Sequence, residues 1–249
     1  MKKIALITGA SSGIGEAIAR ELASSCSLII CGRRLEKLEA LQKELSNTEV
    51  QILQFDVSKN EEVKVAINSL PDEWKEIEIL VNNAGNAHGL SPIHEGNTDD
   101  WDAMIDSNLK GLLYVSRAVT AGMVERKTGH IVNISSIAGK EVYENGNVYC
   151  ASKFGVDAAT QGMRLDLNPY NIKVTSVNPG LVKTEFSNVR FKGNEEKVQN
   201  VYKGLDPLTA KDIAEVVKFA LDRPSNVALT DITVLASAQA SAKTVNRKG

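Results

Sequence analysis

Tyr149 and Lys153 stand four residues apart in Tyr149-Cys150-Ala151-Ser152-Lys153, and a serine pair, Ser135-Ser136, precedes them. Residues at that spacing share one helix face, one turn from each other. An ammonium at Lys153 is expected to favour the phenolate of Tyr149, drawing a pKa near ~10 toward the range where a general acid/base works. A Y-x-x-x-K pair alone occurs by chance in many helices. It gains weight from Thr8-Gly9-Ala10-Ser11-Ser12-Gly13-Ile14-Gly15, which follows an apolar strand and precedes an alanine-rich helix expected over 14–24. Glycines allow a tight turn and close backbone approach to a pyrophosphate, and a helix N-terminus offers free N–H groups. The spacing is G-x-x-x-G-x-G, not the more general G-x-G-x-x-G. A glycine turn without a ligand is the plain alternative. Loop and pair together point to nicotinamide-dependent hydride transfer.

The second apolar run ends at Cys31 and is followed by Gly32-Arg33-Arg34. A site for NAD normally places an acid here, on the ribose 2′-hydroxyl. Two guanidiniums suit a 2′-phosphate instead, so the expected coenzyme is NADP. The competing reading makes Arg33 and Arg34 a charged start to the next helix.

Short apolar runs at 4–7, 28–31, 50–54, 79–82, 131–134, 174–177 and 232–235 read as buried strands. Between them the period turns helical, as in Leu35, Leu38, Leu41 and Leu45. The alternation predicts an α/β fold, a Rossmann-like doubly wound, seven-stranded parallel sheet with helices on both faces. No linker divides the chain, so 1–249 is expected to be one dinucleotide-binding domain. The least regular stretch, 184–206, follows a strand and holds Gly193, Gly204 and many charges. It reads as a mobile substrate lid or as a solvated insertion.

The 249 residues are 43% hydrophobic and 24% charged, with a net charge of -2, which gives no reason to expect nucleic acid or a membrane surface as partner. Cys26, Cys31 and Cys150 form no C-x-x-C pair, which fits a reducing cytoplasm. Met1-Lys2-Lys3 and the apolar residues after it stop at Thr8-Gly9 with no small-residue cleavage site, unlike a signal peptide. His88, His94 and His130 lack metal-ligand spacing, so no metal is expected.

The chain resembles the short-chain dehydrogenase/reductase family over nearly its whole length. The resemblance rests on the T-G-x-x-x-G-x-G loop, Asp56-Val57, Asn82-Asn83-Ala84-Gly85, Asn108 with Gly111, Ser136, Tyr149, Lys153, and Asn178-Pro179-Gly180 with Thr184. It implies that Gly9, Ser11, Ser12, Gly13, Ile14 and Gly15 wrap the pyrophosphate and that Arg33 and Arg34 meet the 2′-phosphate. Asp56 and Val57 would face the adenine, and Asn83, Ala84 and Gly85 would line the adenine ribose side. Pro179, Gly180, Val182 and Thr184 would hold the nicotinamide end. Ser136, thirteen residues before Tyr149, fits the family's serine-to-tyrosine spacing better than Ser135. It would donate a hydrogen bond to the substrate oxygen. Tyr149 would exchange the substrate proton, and Lys153 would hold the nicotinamide ribose and tune Tyr149. Asn108 would hold a water linking Lys153 to solvent, although an amide beside the apolar stripe of Trp101, Met104, Ile105, Leu109 and Leu112 could also be a satisfied core group.

Three segments, 70–74, 122–126 and 185–191, are similar to the branch of NADP-dependent 3-hydroxy acid dehydrogenases, which act on serine, allo-threonine and related acids. The tail, 236–249, matches less well. The branch makes Tyr143 and Arg190 substrate candidates, since a carboxylate or sulfonate needs a fixed cation; a solvated lid charge is the alternative for Arg190. Within the enzyme reading, a carbonyl or sulfoacetaldehyde reductase is the other option. A coenzyme-binding regulator would be free to lose the tyrosine or lysine, and this chain keeps both. Long helices expected over 101–126 and 148–167 leave Leu113, Val115, Phe154, Ala158 and Ala159 as outward apolar surface. Family members pair these helices, so a homotetramer, or a homodimer, is expected.

Overall fold

The computed structural model describes residues 2–248. Seven strands form one parallel sheet: β1 Lys3–Thr8, β2 Cys26–Gly32, β3 Val50–Gln54, β4 Ile77–Asn82, β5 Gly129–Ile134, β6 Ile172–Pro179 and β7 Asp231–Val234. Their order is β3-β2-β1-β4-β5-β6-β7, with register set by pairs such as Leu6↔Ile29, Leu6↔Leu80 and Val132↔Thr175. The doubly wound parallel sheet is thus as the alternation predicts. Several strands run longer than their apolar cores because flanking polar residues such as Ser27, His130 and Asn178 are also buried.

The period-2 geometry of a strand sends alternate side chains to opposite faces. Ala5, Ile7, Leu28, Ile30, Val81 and Val132 face one layer, where they meet Ile18, Ala19 and Leu22 of α1 (Gly13–Leu22) and Ile213, Ala214 and Val217 of α9 (Ala210–Leu221). Leu38 and Leu41 of α2 (Leu35–Glu44) join that layer. Leu6, Ile29, Leu80, Ile131 and Val174 face the other, against Val63 of α3 (Asn60–Asn68) and Val115, Val119 and Met123 of α5 (Gly111–Arg126). With both faces covered, the strands need continuous apolar runs.

Three helical details differ from the sequence reading. The segment 101–126 is not one helix. It begins as α4 (Thr98–Ile105), widens into a π turn at Asp106–Lys110, and continues as α5. Val115 is fully buried in the core, not part of an outward face, whereas Leu113 is exposed. The segment 184–206 is more regular than its composition suggests, with α7 at Phe186–Arg190 and α8 at Glu195–Tyr202. Asn194 supplies the N-cap of α8 through its side chain. The remaining long helix, α6, spans Asn147–Leu167.

The chain winds outward in both directions from β1 and β4. Ligands in such sheets bind over the carboxyl ends of the strands at this switch point. The loops after β1, β4, β5 and β6 all open there.

His130, on β5, is buried and shares a 2.9 Å hydrogen bond between Nε2 and Thr175 Oγ1. Burial, with Lys173 and Lys3 adding, pushes its pKa down to about 4. Between that value and the ordinary one of about 6.5, the unfolded chain takes up a proton that the native chain refuses. Stability is therefore full above about pH 6.5 and falls as pH drops toward 4, by up to about 3 kcal/mol. His130→Gln keeps a partner for Thr175 and removes the titration. Urea unfolding at pH 7 and pH ~4.5 should show a smaller loss for the variant; an equal loss would assign the acid sensitivity elsewhere.

Candidate active site

The phosphate loop depends on positions that tolerate no side chain. Gly9 and Gly13 have φ of +66° and +60°, in the left-handed region. A Cβ at Gly9 would lie 2.9 Å from both Ala84 Cα and Asn83 Nδ2, and one at Gly15 would lie 2.5 Å from Asn83 Nδ2 and closer still to Gly9 O. The loop after β4 is the other half of this junction. Thr8 Oγ1 accepts from Asn83 N and Ala84 N, both at 3.0 Å, while Asn83 Nδ2 donates to Thr8 O at 3.0 Å. Ser12, the N-cap of α1, makes no side-chain cap bond. Among the described residues, the N-cap side chain thus leaves the first helical N–H groups uncovered, as an anion cradle requires.

A cavity of about 870 Å³ runs from this cradle to α7 and α8. Ser11, Ser12, Gly13 and Ile14 border it at one end, with Arg33, Arg34, Asp56 and Val57. Asn83, Ala84, Gly85, Pro179, Gly180, Val182 and Thr184 line its length, and Ser136, Tyr143, Tyr149, Lys153 and Arg190 close the far end. Two of the residues singled out in the sequence, Gly15 and Asn108, stand behind the wall instead of on it. The elongated shape, glycine cradle and paired cations fit a dinucleotide carrying a 2′-phosphate.

The two arginines are not equivalent. Arg33 has a side chain 71% exposed, with its Nη1 3.6 Å from Asp56 Oδ2. Arg34 reaches back to Ser11, donating from Nη2 to Ser11 O at 3.2 Å and from Nε to Ser11 Oγ at 3.3 Å. It also reaches forward to Glu185, with Nη1 donating to Oε2 at 3.1 Å. Glu185 escaped the sequence reading because its partner is 151 residues away.

At the far end, α6 brings Tyr149 and Lys153 to the carboxyl edge of β5, beside Ser136. The Ser136 hydroxyl accepts from Ala138 N at 3.1 Å, capping the short 3₁₀ turn Ile137–Gly139. Ser135 is more deeply buried, with its hydroxyl 3.5 Å from Lys153 O. Lys153 is 6% exposed and donates from Nζ to Ile134 O at 3.1 Å. Burial pulls its pKa down to about 8.

Burial also pushes the Tyr149 phenol above its ordinary value, with nearby Tyr143 adding; the Arg190 charge and the Ser136 hydroxyl pull it back. This revises the expected partnership. The cation that most directly opposes the burial of Tyr149 is Arg190, whose guanidinium carbon stands 4.9 Å from the ring centroid. Lys153 Nζ is 6.0 Å from it. Arg190 also hydrogen-bonds the Tyr143 hydroxyl and approaches the Phe186 ring at 5.7 Å. Its Nε is buried without an acceptor among the described residues.

Asn108, 1% exposed, sits in the π turn. Its Nδ2 donates to Asn86 O at 2.9 Å and Ser152 Oγ at 3.0 Å; its Oδ1 accepts from Asn86 N at 2.7 Å and Ser107 Oγ at 3.2 Å. The amide's bonding capacity is met within the protein, as in the satisfied-core alternative. It ties the loop after β4 to α6, leaving its side chain little capacity to hold the expected water.

The tail completes the enclosure. Gln239 Oε1 accepts from Leu181 N at 2.9 Å, and Arg247 Nη2 donates to Val201 O at 3.0 Å, tying the tail to the strand β6 exit and to α8. Gln239, Ala242, Lys243, Val245 and Arg247 border the cavity. Their sequence carries no periodicity or motif that could have announced it. His88 lies on the cavity wall, while His94 is exposed beside Glu95.

A glycine cradle at the switch point of a parallel sheet, leading to a serine, tyrosine and lysine on one wall, defines a dinucleotide-dependent oxidoreductase site. Residues 3–195 match the short chain dehydrogenase model, and the chain belongs to that family. It is 44% identical over 241 residues to the NADP-dependent 3-hydroxy acid dehydrogenase YdfG of Salmonella typhi, covering 96% of this chain and 97% of that one. The NADP-dependent 3-hydroxy acid dehydrogenase of Schizosaccharomyces pombe is 43% identical over 251 residues, with coverage of 99% and 97%. Among solved structures, the closed form of serine dehydrogenase complexed with NADP+ superposes with a TM-score of 0.93 at 42% identity, over 99% of this chain and 100% of that one. Serine dehydrogenase from Escherichia coli gives 0.83 at 38%, over 95% and 99%.

Gly15→Ala tests the loop junction. A methyl group 2.5 Å from Asn83 Nδ2 should cost about 1–3 kcal/mol of stability, as overpacking does, and abolish dinucleotide binding. Urea unfolding together with coenzyme titration measures both; normal binding would show that the junction can relax.

Proposed function

We propose that this protein is an NADP-dependent dehydrogenase of short 3-hydroxy acids, of the size of serine or allo-threonine, interconverting the alcohol and its carbonyl form. Arg190 is the observation that carries the acid class: a half-buried arginine whose buried Nε has no acceptor among the described residues, at the same end of the cavity as Ser136 and Tyr149. A carboxylate is its natural complement. The names of the relatives agree.

In this reading Gly9, Ser11, Ser12, Gly13, Ile14 and Gly15 form the pyrophosphate cradle, and Arg33 and Arg34 meet the 2′-phosphate. Asp56, Val57, Asn83, Ala84 and Gly85 flank the adenosine half; Lys153, Pro179, Gly180, Val182 and Thr184 flank the nicotinamide half. The coenzyme supplies the hydride donor or acceptor. Ser136 orients the substrate oxygen, and Tyr149 gives or takes its proton. Burial keeps the resting phenol protonated, the form that donates in reduction, but also makes it a weaker acid. The Arg190 charge opposes that burial and favours the phenolate, which both directions pass through. Lys153 keeps its charge below about pH 8 and loses it above. Asn108 fixes α6 relative to the loop after β4.

The whole-length match to the relatives supports treating 1–249 as one catalytic domain, and the place of Glu185, Phe186, Arg190 and Val201 on the cavity wall supports 184–206 as a lid. We propose a cytoplasmic homotetramer. The three cysteines are free, and no described helix is long and apolar enough to cross a membrane. Leu113 and Phe154 are exposed on α5 and α6, which supports pairing of those helices.

Tyr149→Phe keeps the ring and its edge contact with Phe186 but loses the titrating hydroxyl. With L-serine or L-allo-threonine and NADP+, kcat should fall ~10²–10⁴-fold while coenzyme affinity holds. A variant that retained most of its turnover would dismiss Tyr149 as the acid/base.

Arg190→Ala should raise KM for hydroxy acids ~10- to 100-fold and barely change KM for neutral aldehydes of similar size. A kcat loss shared by both substrate types would report the lost support for Tyr149. Equal KM increases for both would remove the acid-substrate reading.

A further inference from the structure

The cations at the adenosine end of the cavity come with their own anions. Arg33 stands beside Asp56 and Arg34 beside Glu185. The two carboxylates are held differently. Asp56 Oδ1 accepts from Ser58 N at 2.9 Å, which fixes the acid in its turn. Glu185 Oε2 accepts from both Nη1 and Nη2 of Arg34, at 3.1 and 3.2 Å. No other side-chain hydrogen bond or ion pair holds Glu185 among the described residues. A single carboxylate oxygen thus straddles the outer fork of Arg34, while Ser11 takes the inner side through Nε and Nη2. Arg34 has five N–H groups, and these contacts occupy the paired directions with which a guanidinium grips a phosphate.

We infer that Glu185 is a counter-anion built into the 2′-phosphate site: it competes for the Arg34 fork and limits both the affinity for NADP(H) and its preference over NAD(H). This rests on the NADP reading above. The side chains of Arg34 and Glu185 are 41% and 53% exposed, and an ion pair so open to solvent is weak. A 2′-phosphate can displace Glu185 at little cost. If Glu185 stays, its charge repels the phosphate across the shared guanidinium. Both routes act in one direction, and neither affects a coenzyme that carries a free 2′-hydroxyl. Glu185 immediately precedes α7, which carries Arg190. Taking Arg34 from Glu185 therefore also releases the root of the lid from the phosphate loop. A coenzyme that must leave after each turnover benefits from such a limit, since release often sets kcat.

Glu185→Gln removes the charge and keeps the shape. Titrating wild type and variant with NADPH and NADH, followed by the fluorescence of the reduced nicotinamide, gives the ratio of the two Kd values. The variant should bind NADPH about three- to tenfold more tightly and NADH nearly as before. The gain should shrink when salt rises from about 0.05 to 0.5 M, because screening shortens the reach of the carboxylate. An unchanged or weakened NADPH affinity overturns the inference, as does a gain shared equally by NADH. A wild type that binds both coenzymes alike, with Arg33→Ala making no difference, overturns the coenzyme reading and this inference with it. Preference for NADPH that Arg33→Ala lowers but Glu185→Gln leaves alone overturns the inference only.

Discussion

The contact between the loops leaving β1 and β4 governs the geometry of the whole cavity. Thr8 accepts two backbone N–H groups through one hydroxyl, and Asn83 returns a bond to the Thr8 carbonyl. The two loops can approach this closely only because Gly9 and Gly15 present no Cβ at the crossing. From that junction the chain runs through Gly85 and Asn86 to Asn108, and through Asn108 to Ser152 on the helix bearing Tyr149 and Lys153. The phosphate end and the reactive end are thereby parts of one hydrogen-bonded frame.

At the reactive end, burial opposes ionisation of both key groups. It raises the Tyr149 phenol and lowers the Lys153 ammonium. The sequence invites a simple pairing of the two, since four residues of helix set them on one face. The folded chain adds a third member. Arg190 arrives from α7 and stacks over the tyrosine ring at a closer distance than the lysine. The surroundings of the Tyr149 phenol are thus assembled from two segments far apart in the chain.

What could be read from the sequence follows physical lines. The central strands, buried on both faces, carry near-continuous apolar runs and are visible as such, and the alternation with helices carries the topology. The cradle and the Tyr149–Lys153 pair are local and equally visible. The helix break at 106–110 was not, because a π turn widens the ladder without a proline or glycine interrupting the apolar stripe before Asn108. Burial of Val115 was missed for a related reason: past the π turn, the register of α5 is rotated relative to α4. The partners of Arg34 and Arg190 are long-range, and the tail at 236–248 has neither period nor motif. These are tertiary facts, set by where loops meet over the sheet.

The position of Arg190 constrains how this scaffold can diverge. One side chain leans on the Tyr149 ring, bonds Tyr143, and keeps a buried Nε with no acceptor among the described residues. Altering residue 190 also alters the acidity of the phenol. Lineages that keep this arrangement are therefore expected to vary the other lining residues, those of the tail among them, before they touch the arginine.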